Sequence, residues 1–395
     1  MRIGIVTYWN TADNYGTVLQ YYAIQEYLRS LGHEPFLIRY TPAPDRLRKR
    51  ISIAWKSGGV IYLFRQTCRF LVHHMSIISQ FSRQKGEAMR NFDEFRKRHF
   101  SMSDVYHSCS QLKQNPPEAD MLIAGSDQIW NIRNVPADSV KSYMQIVFLD
   151  FGNAGVKRAS CAASFGGFSP NSLCAKEIEV LLRQFDFVSV RERHGLELLG
   201  KMGIHTAYLQ RDPTFLLPAE AYRDLSTNIT SPATAGKYIL LYLLNNTTDF
   251  SVGKLSRWAS KQGLHLVYVS ANELYNNPHI HKKTYATIPQ FLHLLDGAEY
   301  VFTNSFHGTV FSVIFQKQFL YVEQKDRFQA QNQRVHEILE WLSLENRIFS
   351  MDFHSVQTPI DYDSILPLIA KNRQESPFVT FMNEFSNSPS GAKNM

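Results

Sequence analysis

The sequence has 395 residues, of which 44% are hydrophobic and 19% are charged. A chain of this length and composition is expected to fold into two or three domains of roughly 100–200 residues, and its hydrophobic content excludes a disordered protein. The formal net charge is +7, and residues 45–100 contain 13 basic and 4 acidic side chains. The rest of the chain is therefore nearly neutral, which argues against a nucleic-acid-binding surface spread over the protein.

Cysteine spacing and the lengths of the apolar runs indicate the compartment. The four cysteines lie far apart and form no CxxC pair, so the sequence predicts neither a disulfide framework nor a zinc site. The first residues lack a signal-peptide pattern, and no uncharged apolar run reaches the roughly 18–20 residues of a transmembrane helix. We expect a cytoplasmic protein with no metal requirement.

The N-terminal half alternates strands and helices. A predicted strand from Arg2 to Trp9 is followed by a polar turn and by a helix that Gly32 ends, and the next strand is predicted from Glu34 to Tyr40. This β-α-β unit is typical of a parallel sheet with helices on its faces. Three more strands are predicted after the basic segment, at 120–124, 158–164 and 187–190.

A second α/β series follows a stretch rich in Pro, Ser, Thr and Asn at 211–232. Its predicted strands are 238–244, 264–270, 300–303 and 319–322, and its predicted helices are 252–262, 288–295 and 308–315. The fold class is therefore α/β, with two Rossmann-like domains whose strand ends face a shared cleft. We expect an N-terminal domain at 1–213, a C-terminal domain at 214–350, and a terminal segment and tail at 351–395.

The basic segment, at about 45–115, is predicted to be a helical insertion in the N-terminal domain. Apolar residues recur at helical spacing over 60–81, while Arg65, Arg69 and His73 share another face. A basic amphipathic helix of this kind can lie on an anionic membrane surface. The alternative is an insertion whose apolar face completes the protein core, and the sequence leaves both open.

Polar loops end several of the predicted strands. The loop from Asp13 to Thr17 lacks GxGxxG, which excludes a dinucleotide fingerprint, but its helix N-terminus can hold an anion or a sugar hydroxyl. In the loop from Gly125 to Asn131, Asp127 is a candidate base toward a sugar hydroxyl and Trp130 a candidate platform for a sugar ring. Plain helix capping would explain the acidic residues of both loops equally well.

Two further loops carry groups suited to an anionic ligand. Arg191 follows a predicted strand, and its planar guanidinium can bind phosphate or carboxylate, although a salt bridge to Glu192 or Asp212 is an alternative. His307 lies at a strand-to-helix turn, where it can donate a proton beside free helix N–H groups. The sequence contains no GxSxG, GxxxxGK[ST] or HExxH motif, so a serine hydrolase, a nucleotide hydrolase and a zinc protease have no support.

Taken in order, these loops resemble the polysaccharide pyruvyl transferase family. Each stretch alone is weak, but the ordered set is fairly specific and extends over most of positions 1–325. The matching stretches are Ile3 to Thr7 running on to Asn14 to Gly16, Gly125 to Asn131, Ala162 to Gly166, Ser189 to Glu192, Gln210 to Thr214 and Thr303 to Gly308.

The resemblance implies a GT-B-like fold with the site in the cleft between two domains, the N-terminal domain at 1–213 on the acceptor side and the C-terminal domain at 214–350 on the donor side. It implies phosphoenolpyruvate as donor substrate, no separate cofactor, and a pyruvate ketal formed on a sugar of a capsule, an exopolysaccharide or its lipid-diphosphate-linked bacterial precursor. It matches Arg191 and His307 to the arginine and histidine that contact the donor. His307 can act as general acid or only as phosphate ligand, and both remain open. Arg191, His307 and Asp127 form the expected catalytic set. The expected donor-binding residues are Arg191, Ser305, Phe306, His307 and Gly308. The expected acceptor-binding residues are Asp13, Asn14, Tyr15, Gly16, Asp127, Gln128 and Trp130.

Two other functions remain as alternatives at the level of sequence. A GT-B glycosyltransferase that uses a nucleotide-sugar would share the architecture, and a catalytically silent sugar-binding or scaffold protein would share the cleft. For a lipid-linked acceptor, we expect the protein at the inner face of the cell membrane, with the basic insertion contacting anionic lipid and with no nucleic-acid partner.

Overall fold

Two five-stranded parallel sheets organise the part of the chain that the structure describes. The structure is a computed structural model that describes residues 1–41, 84–133, 135–229, 236–245, 250–271, 280 and 282–387. Thirteen helices named in these ranges pack around the sheets. They are α1 (Tyr15–Ser30), α2 (Phe92–His99), α3 (Cys109–Gln114), α4 (Val140–Val147), α5 (Ser172–Leu182), α6 (Arg193–Lys201), α7 (Ala219–Asp224), α8 (Val252–Lys261), α9 (Ile288–Asp296), α10 (Phe306–Ile314), α11 (Asn332–Trp341), α12 (Tyr362–Glu375) and α13 (Pro377–Asn387).

The first sheet is formed by β1 (Arg2–Val6), β2 (Glu34–Tyr40), β3 (Met102–Tyr106), β4 (Met121–Ala124) and β5 (Lys157–Ser160). Its order is β3-β2-β1-β4-β5, and all of its pairings are parallel. The central strands are short apolar runs because helices cover both faces of the sheet. A small parallel pair of strands, β6 (Ser189–Val190) and β7 (Tyr208–Leu209), lies next to β5 and the residues that follow it.

The second sheet repeats this topology. It is formed by β8 (Tyr238–Tyr242), β9 (His265–Val269), β10 (Lys283–Thr284), β11 (Tyr300–Thr303) and β12 (Gln318–Tyr321). Its order, β10-β9-β8-β11-β12, places the first strand of the unit in the centre, as in the first sheet. The predicted α/β fold, with two Rossmann-like parallel sheets in a GT-B-like arrangement, is therefore confirmed.

The two halves contact each other through aromatic side chains. Tyr15 of α1 stacks on Phe291 of α9 with ring centroids 4.4 Å apart, and its hydroxyl donates to the carbonyl of Ala286 at 2.7 Å. At the other end of the chain, Phe378 of α13 packs on Tyr27 with ring centroids 6.1 Å apart. These contacts fix the carboxyl ends of the two sheets near one another. The domain limits expected at 213 and 350 stay predictions.

The basic segment is only partly described. Residues 42–83, which include the predicted amphipathic helix, lie outside the described residues, whereas 84–90 and α2 are helical. The expectation that the helical insertion continues to 115 is wrong, because Met102–Tyr106 forms β3 and pairs with β2 at the sheet edge.

Arginine side chains in the described part of this segment contribute to the fold. Arg96 is 5% exposed, pairs with Asp93 at 2.5 Å, and donates to the carbonyl of Thr11 at 2.6 Å. Arg90 is buried and donates to the carbonyl of Ser270 at 3.1 Å. These two side chains therefore link distant segments of the fold by hydrogen bonds, and their burial keeps them from contacting a membrane surface. Among the helices that the structure describes, none is long and apolar enough to cross one.

Candidate active site

The carboxyl ends of both sheets bring charged residues from distant parts of the chain together. Asp127 follows β4, Arg191 follows β6, Asp212 follows β7, and His307 lies in the first turn of α10 after β11. All four are at least nine-tenths buried. The three residues expected to form the catalytic set therefore lie in one cluster, together with Asp212.

Arg191 is the centre of this cluster. Its Nη1 donates to Asp212 Oδ2 at 3.0 Å, its Nη2 lies 3.7 Å from Asp127 Oδ1, and its Nε lies 3.9 Å from Glu192 Oε2. Burial alone would lower the pKa of the guanidinium, but the negative charges of Asp212, Asp127 and Glu192 outweigh it and raise the pKa. Arg191 thus stays positively charged inside the protein. The salt bridges considered as an alternative at the level of sequence are present.

Asp212 interacts with both Arg191 and His307, the two cationic residues of the cluster. Its Oδ2 lies 3.5 Å from His307 Nε2 and accepts from Ser126 Oγ at 3.3 Å, while its Oδ1 accepts from the backbone and hydroxyl of Thr214 at 3.1 and 2.7 Å. Burial would raise the pKa of this carboxyl, but His307 and then Arg191 outweigh it and hold the pKa well below its ordinary value. Asp212 is therefore a buried anion that positions both cationic groups.

Asp127 has an unusual backbone conformation. Its φ is +70°, in the left-handed region that non-glycine residues seldom adopt. One carboxylate oxygen accepts a short hydrogen bond from the hydroxyl of Thr17, and the other accepts from the backbone N–H of Gln128 at 2.8 Å. Burial opposes ionisation, but Arg191 and then His307 lower the pKa of Asp127 below its ordinary value. The carboxylate is ionised and fixed in orientation.

The imidazole of His307 is positioned by the start of α10 and by the start of α1. Ser305 caps α10 by accepting from the backbone N–H of Gly308 at 3.2 Å. Gly16 of α1 lies against the imidazole so closely that a Cβ there would stand 2.5 Å from His307 Cβ and still nearer to the ring. Glycine at position 16 is therefore required by the approach of the ring.

Sequence reasoning missed Arg334, which α11 brings to the cluster. Its guanidinium carbon lies 5.5 Å from the ring centroid of Phe306, and that of Arg191 lies 4.8 Å from the same ring. With the Gln128 amide oxygen facing it, Arg334 donates to that oxygen at 3.1 and 3.2 Å. Burial and the positive charge of Arg191 lower its pKa to about 10. Position 334 lies within a regular helix with no turn signal nearby, so only the tertiary fold reveals it.

Several donors of the cluster lack hydrogen-bond partners. In the part of the chain that the structure describes, Arg191 Nε and Nη2 and His307 Nε2 make no hydrogen bond although they are buried. Buried donors are nearly always paired, and an exception commonly marks a place for a ligand or water. The cluster therefore offers cationic donors, beside a helix N-terminus, to an anion.

A cavity of about 550 Å³ lies on the other side of Asp127. Of the expected acceptor-binding residues, Asp13, Asn14, Asp127 and Gln128 line it. Tyr15 and Gly16 are buried instead, the first against the second half of the chain and the second against His307. Thr17, which is hydrogen-bonded to Asp127, also lines the cavity.

The expectation that Trp130 stacks on a sugar is wrong in this structure. Trp130 is completely buried, its ring stacks on Phe148 with centroids 5.0 Å apart, and its Nε1 donates to the carbonyl of Val147 at 3.0 Å. The bulky apolar ring is turned into the core of the first half, while its neighbours Asp127 and Gln128 face the cavity.

Comparisons with known proteins bear on the family and the fold. A family model for polysaccharide pyruvyl transferase matches residues 14–326. None of the curated proteins compared with the chain matches it. Among solved structures, the chain is similar to S. aureus MnaA with UDP (11% identity, 98% of each chain, TM-score 0.42). It is also similar to UDP-GlcNAc 2-epimerase from Methanocaldococcus jannaschii (10% identity, 98% of this chain and 100% of that chain, TM-score 0.45). An α-glucosyltransferase with UDP and a 13-mer DNA has 10% identity over 98% of each chain and a TM-score of 0.49. These likenesses are distant, and the fold is defined by the strand order of the two sheets.

Proposed function

The chain belongs to the polysaccharide pyruvyl transferase family, and from this premise we propose that it transfers pyruvate from phosphoenolpyruvate to a sugar of a bacterial cell-surface polysaccharide or of its precursor. The product is a pyruvate ketal joined to two hydroxyls of one sugar. The donor is a substrate, and the proposed reaction uses no metal and no separate cofactor.

The observation that carries the proposal is the set of buried cationic donors that make no hydrogen bond. Phosphoenolpyruvate has a phosphate and a carboxylate on a three-carbon unit, so it needs several cationic donors close together. Arg191 Nε and Nη2 and His307 Nε2 make no hydrogen bond, and the carboxylate oxygens that face them lie 3.5–3.9 Å away. Arg334 adds a third cationic group, 5.5 Å from the ring centroid of Phe306. An anion bound here would also offset the mutual repulsion of the two arginines.

In the proposed mechanism, His307 acts on the donor as general acid. It transfers a proton to the methylene carbon, which becomes the methyl group of the ketal, and the adjacent carbon develops oxocarbenium character. Asp212, at 3.5 Å from His307 Nε2, stabilises the protonated imidazole that this step requires. Arg191 and Arg334 hold the phosphate and carboxylate of the donor during the reaction.

Asp127 acts on the acceptor. One sugar hydroxyl attacks the oxocarbenium carbon and gives its proton to Asp127, whose low pKa suits it to accept a proton only as the new C–O bond forms. A second hydroxyl then forms the other C–O bond as the bond to phosphate breaks. The phosphate leaves with the bonding electrons and takes the proton held by Asp127, while the second hydroxyl proton returns to His307.

Donor binding and turnover test the proposal in two steps. Phosphoenolpyruvate should raise the melting temperature of the full chain, and nucleotide-sugars should not, because binding to the folded state stabilises it by mass action. The opposite result would favour the nucleotide-sugar glycosyltransferase. With a panel of lipid-linked saccharides, phosphate release should be lost in His307→Ala and Arg191→Ala. Full activity in either variant would remove that residue from the mechanism.

A glutamine at position 307 separates the two roles considered for His307. Glutamine can still donate a hydrogen bond to phosphate but cannot protonate carbon. If His307 is the acid, His307→Gln should bind phosphoenolpyruvate within a few-fold of the wild type and release no phosphate. Turnover in His307→Gln would show that the residue is only a phosphate ligand.

We also propose a cytoplasmic location at the inner face of the membrane, where the acceptor is carried on a lipid diphosphate. A basic segment could hold the enzyme at such a surface through anionic lipids. The residues that would do so, Arg65 and Arg69, lie outside the described residues. Neutralising both should weaken sedimentation with anionic liposomes while sparing activity on a soluble acceptor. Unchanged liposome binding would return the segment to a packing role.

A further inference from the structure

The cavity beside Asp127 has the composition of a carbohydrate-binding site. It holds about 550 Å³, and each of its described lining residues except Val135 carries a hydroxyl, amide or carboxylate group, as Asn10, Thr11 and Asp13 do. Pockets with a few polar groups around an exposed ring are suited to small polar ligands that have one apolar face. A pyranose is such a ligand, because its C–H bonds gather on one face and its hydroxyls point outward.

Tyr8, which follows β1, supplies an exposed ring in this cavity. Its side chain is 37% exposed, whereas most large aromatic side chains of the described core are fully buried. The hydroxyl donates to the carbonyl of Gln128 at 3.0 Å and lies 3.1 Å from the hydroxyl of Tyr143. Hydrogen bonds at the tip of the side chain therefore hold the ring in place and leave part of it open to the cavity. A ring fixed in advance loses little conformational entropy when a ligand stacks on it.

The charge of the cavity is one-sided. Asp13 and Asp127 both line it, and none of the described lining residues is Lys, Arg or His. An acceptor unit carrying a carboxylate or phosphate in this position would face the carboxylate of Asp13, to which the described lining offers no cation. The basic groups of the neighbouring cluster are already paired with Asp212 and Asp127. The cavity therefore favours an uncharged ligand.

The cavity and the cluster share one residue at their boundary. Asp127 lines the cavity, is oriented by Thr17 on that side, and lies 3.7 Å from Arg191 on the other. A hydroxyl of a ligand in the cavity would therefore meet the carboxylate that contacts the donor-binding arginine.

We propose that this cavity is the acceptor subsite, that Tyr8 is the ring on which the acceptor sugar stacks, and that Asp13 excludes anionic sugars from it. The substrate class that follows is an uncharged pyranose. This inference rests on the proposed function in that it assigns the cavity to the acceptor of that reaction, but sugar binding in the cavity can be measured without any donor.

The test is equilibrium binding of simple glycosides to the full chain, by saturation-transfer NMR and calorimetry. The probes are methyl β-glucoside, methyl β-galactoside and methyl β-glucuronide. We expect at least one neutral glycoside to bind, and the glucuronide to bind about fivefold or more weakly than methyl β-glucoside. In Tyr8→Leu, affinity for the neutral glycoside should fall about five- to tenfold, as for loss of one stacked ring. Tyr8→Phe keeps the ring and should stay within about threefold of the wild type.

Two further variants make the outcome specific. Tyr208 is another exposed tyrosine, 48% exposed and not among the residues that line the cavity, so Tyr208→Leu is the matched control and should leave binding unchanged. Asp13→Asn keeps the size of the side chain and removes its charge, so it should narrow the preference of the neutral glycoside over the glucuronide about two- to fivefold.

Three results would overturn the inference. They are binding of no neutral glycoside at tens of millimolar, binding by Tyr8→Leu equal to the wild type, and a glucuronide that binds as tightly as the glucoside. Each is independent of the proposed reaction, which phosphoenolpyruvate binding tests separately on the same protein. Glycosides that bind through Tyr8 without any donor binding would contradict pyruvyl transfer and leave the subsite standing. Donor binding together with wild-type glycoside binding in Tyr8→Leu would support pyruvyl transfer and overturn the assignment of the subsite.

Discussion

Substitution of Gly16 by alanine should damage the active site far more than it damages the fold. An added Cβ would lie 2.5 Å from His307 Cβ and nearer still to Cγ and Nδ1, whereas real Cβ contacts are essentially never under 3.0 Å. Gly16 is in the first turn of a 16-residue helix that is fixed at its start by the Asn14 cap. Rotation of the imidazole does not move Cβ, so the starts of α1 and α10 must shift apart and displace the imidazole with them.

The two effects of this substitution on stability have opposite signs. Overpacking of a buried site costs about 1–3 kcal/mol. Replacement of glycine by alanine inside a helix contributes about 0.5–1 kcal/mol in the other direction. The free energy of unfolding should therefore fall by no more than about 2.5 kcal/mol. The effect on donor binding is larger, because a displaced His307 loses a charged hydrogen bond worth about 1.5–3 kcal/mol, which corresponds to roughly 10–100-fold in the affinity for phosphoenolpyruvate.

Calorimetric titration with phosphoenolpyruvate and urea unfolding of the same samples would measure both quantities. Gly200 provides the matched control: it also lies in a helix, α6, but a Cβ added there would have no neighbouring atom within 4 Å, so Gly200→Ala should keep full affinity and gain a little stability. Wild-type affinity in Gly16→Ala would refute the view that the contact between Gly16 and His307 positions the donor site. Equal losses in both variants would refute it as well.

Three other predictions follow from the buried cluster. Arg334→Gln should weaken phosphoenolpyruvate binding about 10–100-fold in calorimetry, whereas Arg183→Gln, which removes an exposed ion pair with Glu179, should leave it unchanged; equal affinities would exclude Arg334 from the site. Asp212→Asn should lower the free energy of unfolding by about 1.5–3 kcal/mol in urea, since it removes the nearest of the three buried carboxylates around Arg191, and a loss under 1 kcal/mol would contradict this. Because the pKa of Asp212 is lowered in the folded state, its stabilising contribution is complete above its unfolded value and is lost progressively below about pH 5; wild-type stability should fall more steeply with acid than that of Asp212→Asn, and parallel curves would argue against the pair.

The sequence was sufficient to predict most of the architecture, because both halves repeat short apolar strands separated by helices and polar turns. The sequence also placed Arg191 and His307 at the carboxyl ends of predicted parallel strands, and groups in that position converge on one edge of a sheet. β3 was missed because Met102–Tyr106 is short and polar on its exposed face and takes its strand conformation from pairing with β2. The helices that follow residue 351 were not predicted individually.

The errors in the site have a common physical origin. Position along a loop does not determine which way a side chain points, so Trp130 was placed in the cleft although its ring completes the core. Tyr8 was not predicted to lie in the site for the opposite reason, since an aromatic residue at a strand end is more often part of the hydrophobic core. Arg334 comes from a helix nearly thirty residues after His307, and only packing of α11 against α10 brings them to one place.

The most direct test of the central claim is calorimetric titration of phosphoenolpyruvate into the full chain and into Arg191→Lys. Lysine keeps the positive charge that Asp212 requires. It loses the planar guanidinium, whose Nε and Nη2 make no hydrogen bond in the structure. We predict binding of one donor per chain in the wild type, and affinity at least tenfold weaker in a folded Arg191→Lys protein. An absence of binding to the wild type, or equal affinity in the two proteins, would contradict the assignment of this cluster as the site of pyruvyl transfer.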